Sequence, residues 1–306
     1  MRLSSPVRSA LSMRLLLLCL VLTSCRVHAA DESTFTFRDS VQEVRIAFSA
    51  TDGHGHAIQS LRSSDLAVAD NGWLVRNFRS FRPAAEMPLD VVILLDISGS
   101  IEAELPGKIA EITKFLEAAA WGERDRTSLL VFGGAQSQLL CHRNCGAADV
   151  RDKLNGLRGE GLTPLYDALL QAAEVLQADR PPEMRPAILL ISDGRDSISR
   201  GSMAEAMRSA EGLEASIYAI NSRSRKSAPG EGDSVLAQLA AATGGLSFAP
   251  GEDLQKVFHT VLDDLRSGYV LTYRPPEHGS GPHLVRLLPA GDPTLRFRSR
   301  QSYEQE

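Results

Sequence analysis

The stretch Val91-Val-Ile-Leu-Leu-Asp96-Ile-Ser98-Gly-Ser100 decides the fold. Its five consecutive β-branched and aliphatic residues are typical of a strand that is covered on both faces, as in the middle of a parallel sheet. The apolar run ends at Asp96, and Ser98 and Ser100 follow at two-residue steps. Open α/β sheets place ligands beyond the carboxyl ends of their strands. We therefore expect a carboxylate and two hydroxyls to converge on one point there.

These three side chains have the chemistry of a magnesium site. Mg²⁺ prefers octahedral oxygen ligands at about 2.0 to 2.1 Å, whereas softer metals prefer His or Cys. The competing interpretation is a capping turn, because Asp and Ser commonly accept hydrogen bonds from the first N–H groups of a helix. Capping does not require three oxygen donors, so metal binding is the better interpretation.

The N-terminal segment has the pattern of an export signal. Three arginines precede an apolar run at residues 15–22 that is too short to span a bilayer stably. Cleavage before Cys25 would make it a lipidated first residue, and cleavage near Ala29 would release an ordinary secreted protein. We assign residues 1–30 to a signal peptide and expect a protein of the periplasm or an outer-membrane-anchored lipoprotein, with free secretion as the alternative.

Composition and charge exclude some partners. The chain has 306 residues and 43% hydrophobic content, which predicts a globular protein of about two domains. Removal of the segment before Cys25 would change the formal net charge from −5 to −8, because that segment carries three arginines and no acidic residue. An acidic protein repels nucleic acid. We expect contact with a membrane only through a lipid anchor.

The remaining cysteines, Cys141 and Cys145, are four residues apart. In an oxidising compartment this spacing predicts a local disulfide. The alternative is a metal site that also uses His142, but no fourth ligand lies nearby in the sequence.

Residues 88–267 alternate between predicted strands and helices. A second apolar strand, at residues 187–192, also stops at an aspartate, Asp193. Strands that alternate with helices predict a mainly parallel sheet with right-handed crossovers. We therefore expect a doubly wound, Rossmann-like α/β domain with helices on both faces of its sheet.

The flanks of this domain, residues 31–87 and 268–306, have β patterns. Asp70-Asn71-Gly72 lies between two apolar runs and predicts a tight hairpin turn. Neither flank would bury much apolar surface alone. We therefore predict that both flanks pair into one β-sandwich, from which the α/β domain emerges.

Three motifs together resemble the metal-ion-dependent adhesion site of von Willebrand factor type A domains. They are Asp96-x-Ser98-x-Ser100, a threonine at the start of a predicted helix (Thr163), and Ser192-Asp193-Gly194 at the end of a strand. The sequences at 63–72 and 268–275 are similar to those of the bacterial exported VWFA-related domain family of acidobacterial type.

The resemblance implies a binding function. It places five side chains at the ion: Asp96, Ser98, Ser100, Thr163 and Asp193. The ion would be Mg²⁺, with Mn²⁺ or Ca²⁺ as alternatives, and an Asp or Glu of an unidentified protein partner would complete its coordination shell. The family often has Gly before the threonine, whereas this chain has Leu162. The alternative role for Thr163 is the N-cap of a helix with Pro164 at its first position. We expect Asp167 and Asp196 to be supporting or solvated charges.

The sequence does not favour an enzyme. Phosphoryl-transfer enzymes of the haloacid dehalogenase type need a second aspartate where this chain has Ser98. The surroundings of Ser98 also lack the Gly-x-Ser-x-Gly pattern of serine hydrolases, and no Gly-x-Gly-x-x-Gly follows a strand. The alternatives to a binding module are a structural envelope module with a stabilising metal and, third, a metal-dependent hydrolase.

Overall fold

The computed structural model describes residues 43–99, 105–118, 121–134, 136–159, 161–226, 228–276 and 280–305, which lie in one compact unit. The predicted signal peptide, Cys25 and Ser100 lie outside these residues. None of the described helices has the length and hydropathy of a transmembrane span. The domain boundaries at residues 88 and 268 stay predictions.

The described residues form fourteen strands and six α-helices. The strands are β1 Val44–Thr51, β2 Leu66–Asp70, β3 Trp73–Val75, β4 Ser80–Pro83, β5 Leu89–Asp96, β6 Arg126–Gly133, β7 Gln136–Cys141, β8 Arg185–Ser192, β9 Ser216–Asn221, β10 Ser247–Phe248, β11 Tyr269–Tyr273, β12 Gly281–Pro289, β13 Arg296–Ser299 and β14 Ser302–Gln305. The helices are α1 Leu105–Ala118, α2 Ala147–Leu154, α3 Leu165–Gln177, α4 Met203–Gly212, α5 Glu231–Thr243 and α6 Leu254–Ser267.

The central sheet is organised around β5. Its strand order is β10-β9-β8-β5-β6-β7, and all neighbours are parallel except the edge strand β7. All eight residues of β5 are buried. Ile93 and the apolar residues at two-residue steps from it face one core, which they share with α1, α2 and α6. Leu94 and the apolar residue two positions before it face the opposite core, which they share with α3, α4 and α5. The predicted doubly wound fold is confirmed.

Two four-stranded antiparallel sheets flank this domain. Their orders are β13-β1-β11-β4 and β14-β12-β2-β3, so each sheet combines strands from before and after the α/β domain. One apolar core contains residues of both sheets, which confirms the predicted sandwich. Pairing of β4 with β11, and a 2.8 Å hydrogen bond from Ala84 N to Gly268 O, bring the two ends of the α/β domain together.

Arginine side chains of the sandwich bind carbonyl groups of the α/β domain. Arg45 Nη2 donates to Met184 O at 3.1 Å, and Arg300 Nη1 donates to Glu211 O at 3.0 Å. Met184 directly precedes β8, whereas Asp96 is the last residue of the neighbouring parallel strand β5. The junction therefore lies at the end of the sheet opposite Asp96.

The Cys141 and Cys145 side chains form a disulfide, with Cα atoms 5.7 Å apart. It joins the last residue of β7 to the loop that precedes α2. The bond therefore ties the antiparallel edge strand to the chain that leads back to the helix layer.

A buried polar cluster lies inside the sandwich. The Asp70 carboxylate accepts hydrogen bonds from Tyr273 Oη at 2.8 Å and Tyr303 Oη at 2.7 Å, and its other oxygen lies 2.6 Å from His283 Nδ1. Burial and these bonds to the carboxylate raise the pKa of both tyrosines. The cluster joins β2, β11, β12 and β14, so it connects both sheets.

We expect Asp70→Ala to lower the free energy of unfolding by about 3 kcal/mol. It removes the buried carboxylate that both hydroxyls and the imidazole share, which leaves the Tyr273 hydroxyl without its partner and the Tyr303 hydroxyl and His283 imidazole only with each other. Urea denaturation would measure the change. Asp292→Ala is the matched control, since that exposed carboxylate bonds only within its own loop, and we expect a cost below about 1 kcal/mol. Equal effects of the two variants would show that the buried cluster contributes no more to the free energy of unfolding than an exposed carboxylate does.

Candidate metal centre

The structure describes four of the five predicted ligands, and all four are buried near the carboxyl ends of the sheet strands. Asp96 ends β5, Ser98 lies two residues further on, Asp193 directly follows β8, and Thr163 lies in the loop before α3. Their exposed fractions are 0%, 1%, 3% and 5%. Since β5 and β8 are parallel neighbours, Asp96 and Asp193 lie at the same end of the sheet, where the carboxyl ends of its parallel strands meet.

Two hydrogen bonds orient the Asp96 carboxylate. One oxygen accepts from Ser98 N at 2.8 Å, and the other accepts from Ser192 Oγ at 2.7 Å. Ser192 Oγ in turn accepts from Gly194 N at 3.1 Å. The sequence analysis gave Ser192 no role of its own, because only the pairing of β5 with β8 places its hydroxyl against Asp96.

The loop that carries Asp193 is held by close backbone packing. Asp193 Oδ1 accepts a hydrogen bond from Arg195 N at 3.0 Å. Gly194 has a φ of +78°, and a Cβ atom there would lie 2.2 Å from the carbonyl oxygen of Gly232 in α5. Only glycine fits this left-handed, crowded position. The start of α5 therefore fixes the position of Asp193.

Thr163 is fixed by its backbone. Ser197 N donates to Thr163 O at 2.8 Å, and Thr163 N donates to Ser197 Oγ at 3.4 Å. The predicted alternative role as N-cap is wrong, because α3 begins at Leu165 and its N-cap is Pro164, which makes no side-chain cap bond. Rigid proline backbone thus separates Thr163 from the helix.

Asp167 and Asp196 tie the loop after β8 to the start of α3. The Asp167 carboxylate accepts from Gly201 N at 2.8 Å, and Ser199 Oγ accepts from Tyr166 N at 3.0 Å while it donates to Asp196. Both carboxylates are engaged with this loop, in agreement with the supporting role expected of them.

The loops around the site approach one another closely. A Cβ atom on Gly161, which has a φ of +73°, would lie 2.5 Å from Gly134 Cα. Gly134 N donates to Leu162 O at 2.8 Å, and Gly99 N donates to Gly161 O at 3.4 Å. The loops after β5, after β6 and before α3 are therefore locked together.

The electrostatics of the site fit a divalent cation. Burial raises the pKa of Asp96, and the negative charge of Asp193 raises it further, while hydrogen bonds from Ser98 and Ser192 lower it. A cation bound by both carboxylates would remove this repulsion. The described residues contain no group of three or more His, Cys, Asp or Glu side chains that could hold a metal. The donor set is instead two carboxylates with hydroxyls, the hard oxygen ligands that suit Mg²⁺.

Comparison with known families agrees with this fold. Residues 91–195 match the family model of the von Willebrand factor type A domain. The chain contains a von Willebrand factor type A domain. The matched segment includes the β5 motif, Thr163 and Asp193.

Curated relatives share only a part of their length with this chain. The 60 kDa subunit of magnesium chelatase from Rhodobacter capsulatus is 29% identical over 109 residues, which is 36% of this chain and 19% of that protein. The same subunit from Cereibacter sphaeroides is 28% identical over 143 residues, which is 47% of this chain and 24% of that protein. The chain thus spans about a fifth to a quarter of the length of these relatives.

Solved structures with similar folds include an aerotolerance-related membrane protein from Bacteroides fragilis and proximal thread matrix protein 1 from the mussel byssus. The first has 17% identity and a TM-score of 0.48, with 58% of this chain and 98% of that chain covered. The second has 14% identity and a TM-score of 0.48, with 60% of this chain and 48% of that chain covered.

We expect Asp96→Asn to stabilise the type A domain in EDTA, because it removes a buried negative charge that Asp193 repels, while the amide oxygen still accepts one of the two hydrogen bonds. Urea denaturation in EDTA would measure this. Asp152→Asn, an exposed change on α2, is the control and should have no effect. A clear loss of stability for Asp96→Asn in EDTA would show that the two hydrogen bonds accepted by the carboxylate outweigh the cost of its buried charge without a metal.

Proposed function

We propose that this type A domain is a divalent-metal-dependent protein-binding module of the adhesion type. The observation that carries the proposal is the pair of buried carboxylates, Asp96 and Asp193, at the ends of two neighbouring parallel strands. Ser98 and Thr163 are also buried. Ser100, two residues after Ser98, is proposed as the fifth ligand from the sequence. Mg²⁺ is the proposed ion, with Mn²⁺ or Ca²⁺ as alternatives.

Charge balance explains how such a site would bind a protein. Two carboxylates match the two charges of the ion, whereas the hydroxyls of Ser98, Ser100 and Thr163 add no further negative charge. A bound Mg²⁺ would supply an electrophilic position with high affinity for oxygen anions. Five side chains leave one of six positions open, so an Asp or Glu of a partner protein can complete the shell. The surrounding loops would then select the partner.

The rigidity of the site supports binding. Hydrogen bonds from Ser98 and Ser192 hold the Asp96 carboxylate in one orientation. Close packing of Gly194 on Gly232 fixes the loop after β8, which carries the second carboxylate. Since Mg²⁺ tolerates little misplacement of its ligands, a pre-positioned set of donors lowers the cost of binding it. Ser192 is thus proposed as a residue that positions a ligand.

The alternative function is a structural module in which the metal only holds the loops together. The many hydrogen bonds between those loops favour neither interpretation, since both need a rigid site. We propose no catalytic role, because the site follows the adhesion pattern and Ser98 stands where a phosphoryl-transfer enzyme would need an aspartate. A metal-dependent hydrolase is the least favoured interpretation.

The cell envelope or exterior is the proposed location. The apolar run at residues 15–22 supports export, with Cys25 as the candidate lipidation site. The disulfide between Cys141 and Cys145 supports an oxidising compartment, because such bonds are rare where thiols are kept reduced.

Calorimetric titration of Mg²⁺ into the EDTA-stripped protein tests the metal site. We expect saturable binding at one site, which Asp96→Ala abolishes. Ser192→Ala should weaken the affinity about tenfold, as expected when the support of a ligand is removed. Asp152→Ala is the control and should bind like the unchanged protein. Absence of binding in the unchanged protein would contradict the proposal.

A further inference from the structure

Two large apolar side chains are exposed on the loops that carry the proposed ligand Thr163 and its hydrogen-bond partner Ser197. Leu162 is 56% exposed and directly precedes Thr163, and Ile198 is 37% exposed and directly follows Ser197. Ser197 N donates a hydrogen bond to Thr163 O, and Thr163 N donates one to the Ser197 hydroxyl. Each apolar side chain is therefore one residue away from a contact that also positions a proposed ligand.

Rigid backbone presents the Leu162 side chain. The Leu162 carbonyl accepts a hydrogen bond from Gly134 N, and the carbonyl groups of the residues on either side accept from Gly99 N and Ser197 N. Three different loops thus hold three consecutive residues. The exposure of Leu162 follows from this fixed geometry and is a property of the folded site.

The Ile198 side chain is presented in the same way. Its neighbour Ser197 bonds to Thr163, and its other neighbour, Ser199, accepts from the N–H groups of Tyr166 and Asp167 at 3.0 and 3.2 Å. The two residues beside Ile198 are therefore attached to Thr163 and to the first turn of α3, respectively. Leu162 and Ile198 form what we call the apolar rim of the site.

The apolar rim is separate from the other exposed apolar surface of the described residues. The remaining large hydrophobic side chains with high exposure are Trp73, Leu74 and Leu284. These lie on β3 and β12 of the sandwich, which joins the α/β domain at the end opposite Asp96. The rim is thus the exposed apolar surface that accompanies the proposed ion site.

We propose that the partner presents an Asp or Glu together with a neighbouring large apolar side chain, which packs on Leu162 and Ile198. This inference rests on the proposed function, since the partner carboxylate would complete the metal shell. A backbone that is fixed before binding loses little conformational freedom when the partner arrives, so apolar contact there adds efficiently to affinity. The carboxylate provides attachment, and the apolar rim provides selection among acidic partners.

A random peptide library displayed on phage tests the inference. The purified protein would be immobilised with Mg²⁺, and bound phage would be eluted with EDTA, so that only metal-dependent binders are recovered. The enriched peptides should contain Asp or Glu next to Leu, Ile, Phe, Met or Trp. Synthetic peptides with that apolar residue changed to Ser should bind about tenfold more weakly.

Variants of the protein separate the rim from the ion. Leu162→Ser and Ile198→Ser should each weaken the enriched peptides about tenfold and leave the Mg²⁺ affinity, measured by calorimetry, unchanged. Leu284→Ser is the matched control, because it removes an even more exposed apolar side chain from the sandwich, and it should change neither quantity.

The outcomes distinguish the two proposals. Metal-dependent enrichment of acidic peptides with no preference for an apolar neighbour would overturn the apolar rim and support the proposed function. Enrichment of apolar peptides that Leu284→Ser reduces as much as Leu162→Ser would also overturn the rim. Absence of any metal-dependent enrichment, despite saturable Mg²⁺ binding, would overturn both and favour the structural module.

Discussion

A buried carboxylate at the end of the central strand constrains everything around it. Asp96 has no exposed surface, and the neighbouring charge of Asp193 makes its ionised form still less favourable. Such an arrangement is costly unless a positive charge compensates for it. The hydrogen bonds from Ser98 and Ser192 offset a part of that cost and give the carboxylate one orientation. The same groups that make the site unfavourable without a cation therefore make it suitable for one.

The sandwich leaves this end of the α/β domain accessible. Its arginines bind carbonyl groups at the opposite end of the sheet, where Met184 precedes β8. The two flanks of the chain pair with each other at β4 and β11, so the α/β domain emerges from the sandwich as one insertion. The sandwich thus holds the α/β domain at the end of the sheet opposite Asp96 and leaves the loops that carry Asp96, Thr163 and Asp193 uncovered.

The loops around the site are joined to one another by hydrogen bonds and also expose apolar side chains. Glycines allow close approach of the backbones, as at Gly161 and Gly194, where any side chain would overlap with the backbone of Gly134 and of Gly232 in α5, respectively. Hydrogen bonds then leave Leu162 and Ile198 exposed on rigid backbone. A departure from the usual family pattern, Leu162 in place of glycine, thereby becomes a candidate determinant of partner choice.

The sequence by itself determined the elements with strong local patterns. The unbroken apolar run of β5 predicted a strand buried on both faces, and the aspartates that end β5 and β8 predicted a site at that edge, because parallel strands bring their carboxyl ends together. The Asp70-Asn71-Gly72 pattern likewise predicted a tight turn, and in the structure Asn71 and Gly72 both adopt positive φ. The ligand assignments themselves stay predictions.

Only the tertiary structure decided the features that depend on distant parts of the chain. Residues 302–305 form β14 although their sequence is mostly polar, because β12 supplies the hydrogen bonds. Ser192 acquires its role because pairing of β5 with β8 places it against Asp96. Asp70 and His283 meet because two sequence-distant strands pair. Local patterns determine where a strand ends, but the partner of a side chain is set by packing, which no short stretch of sequence encodes.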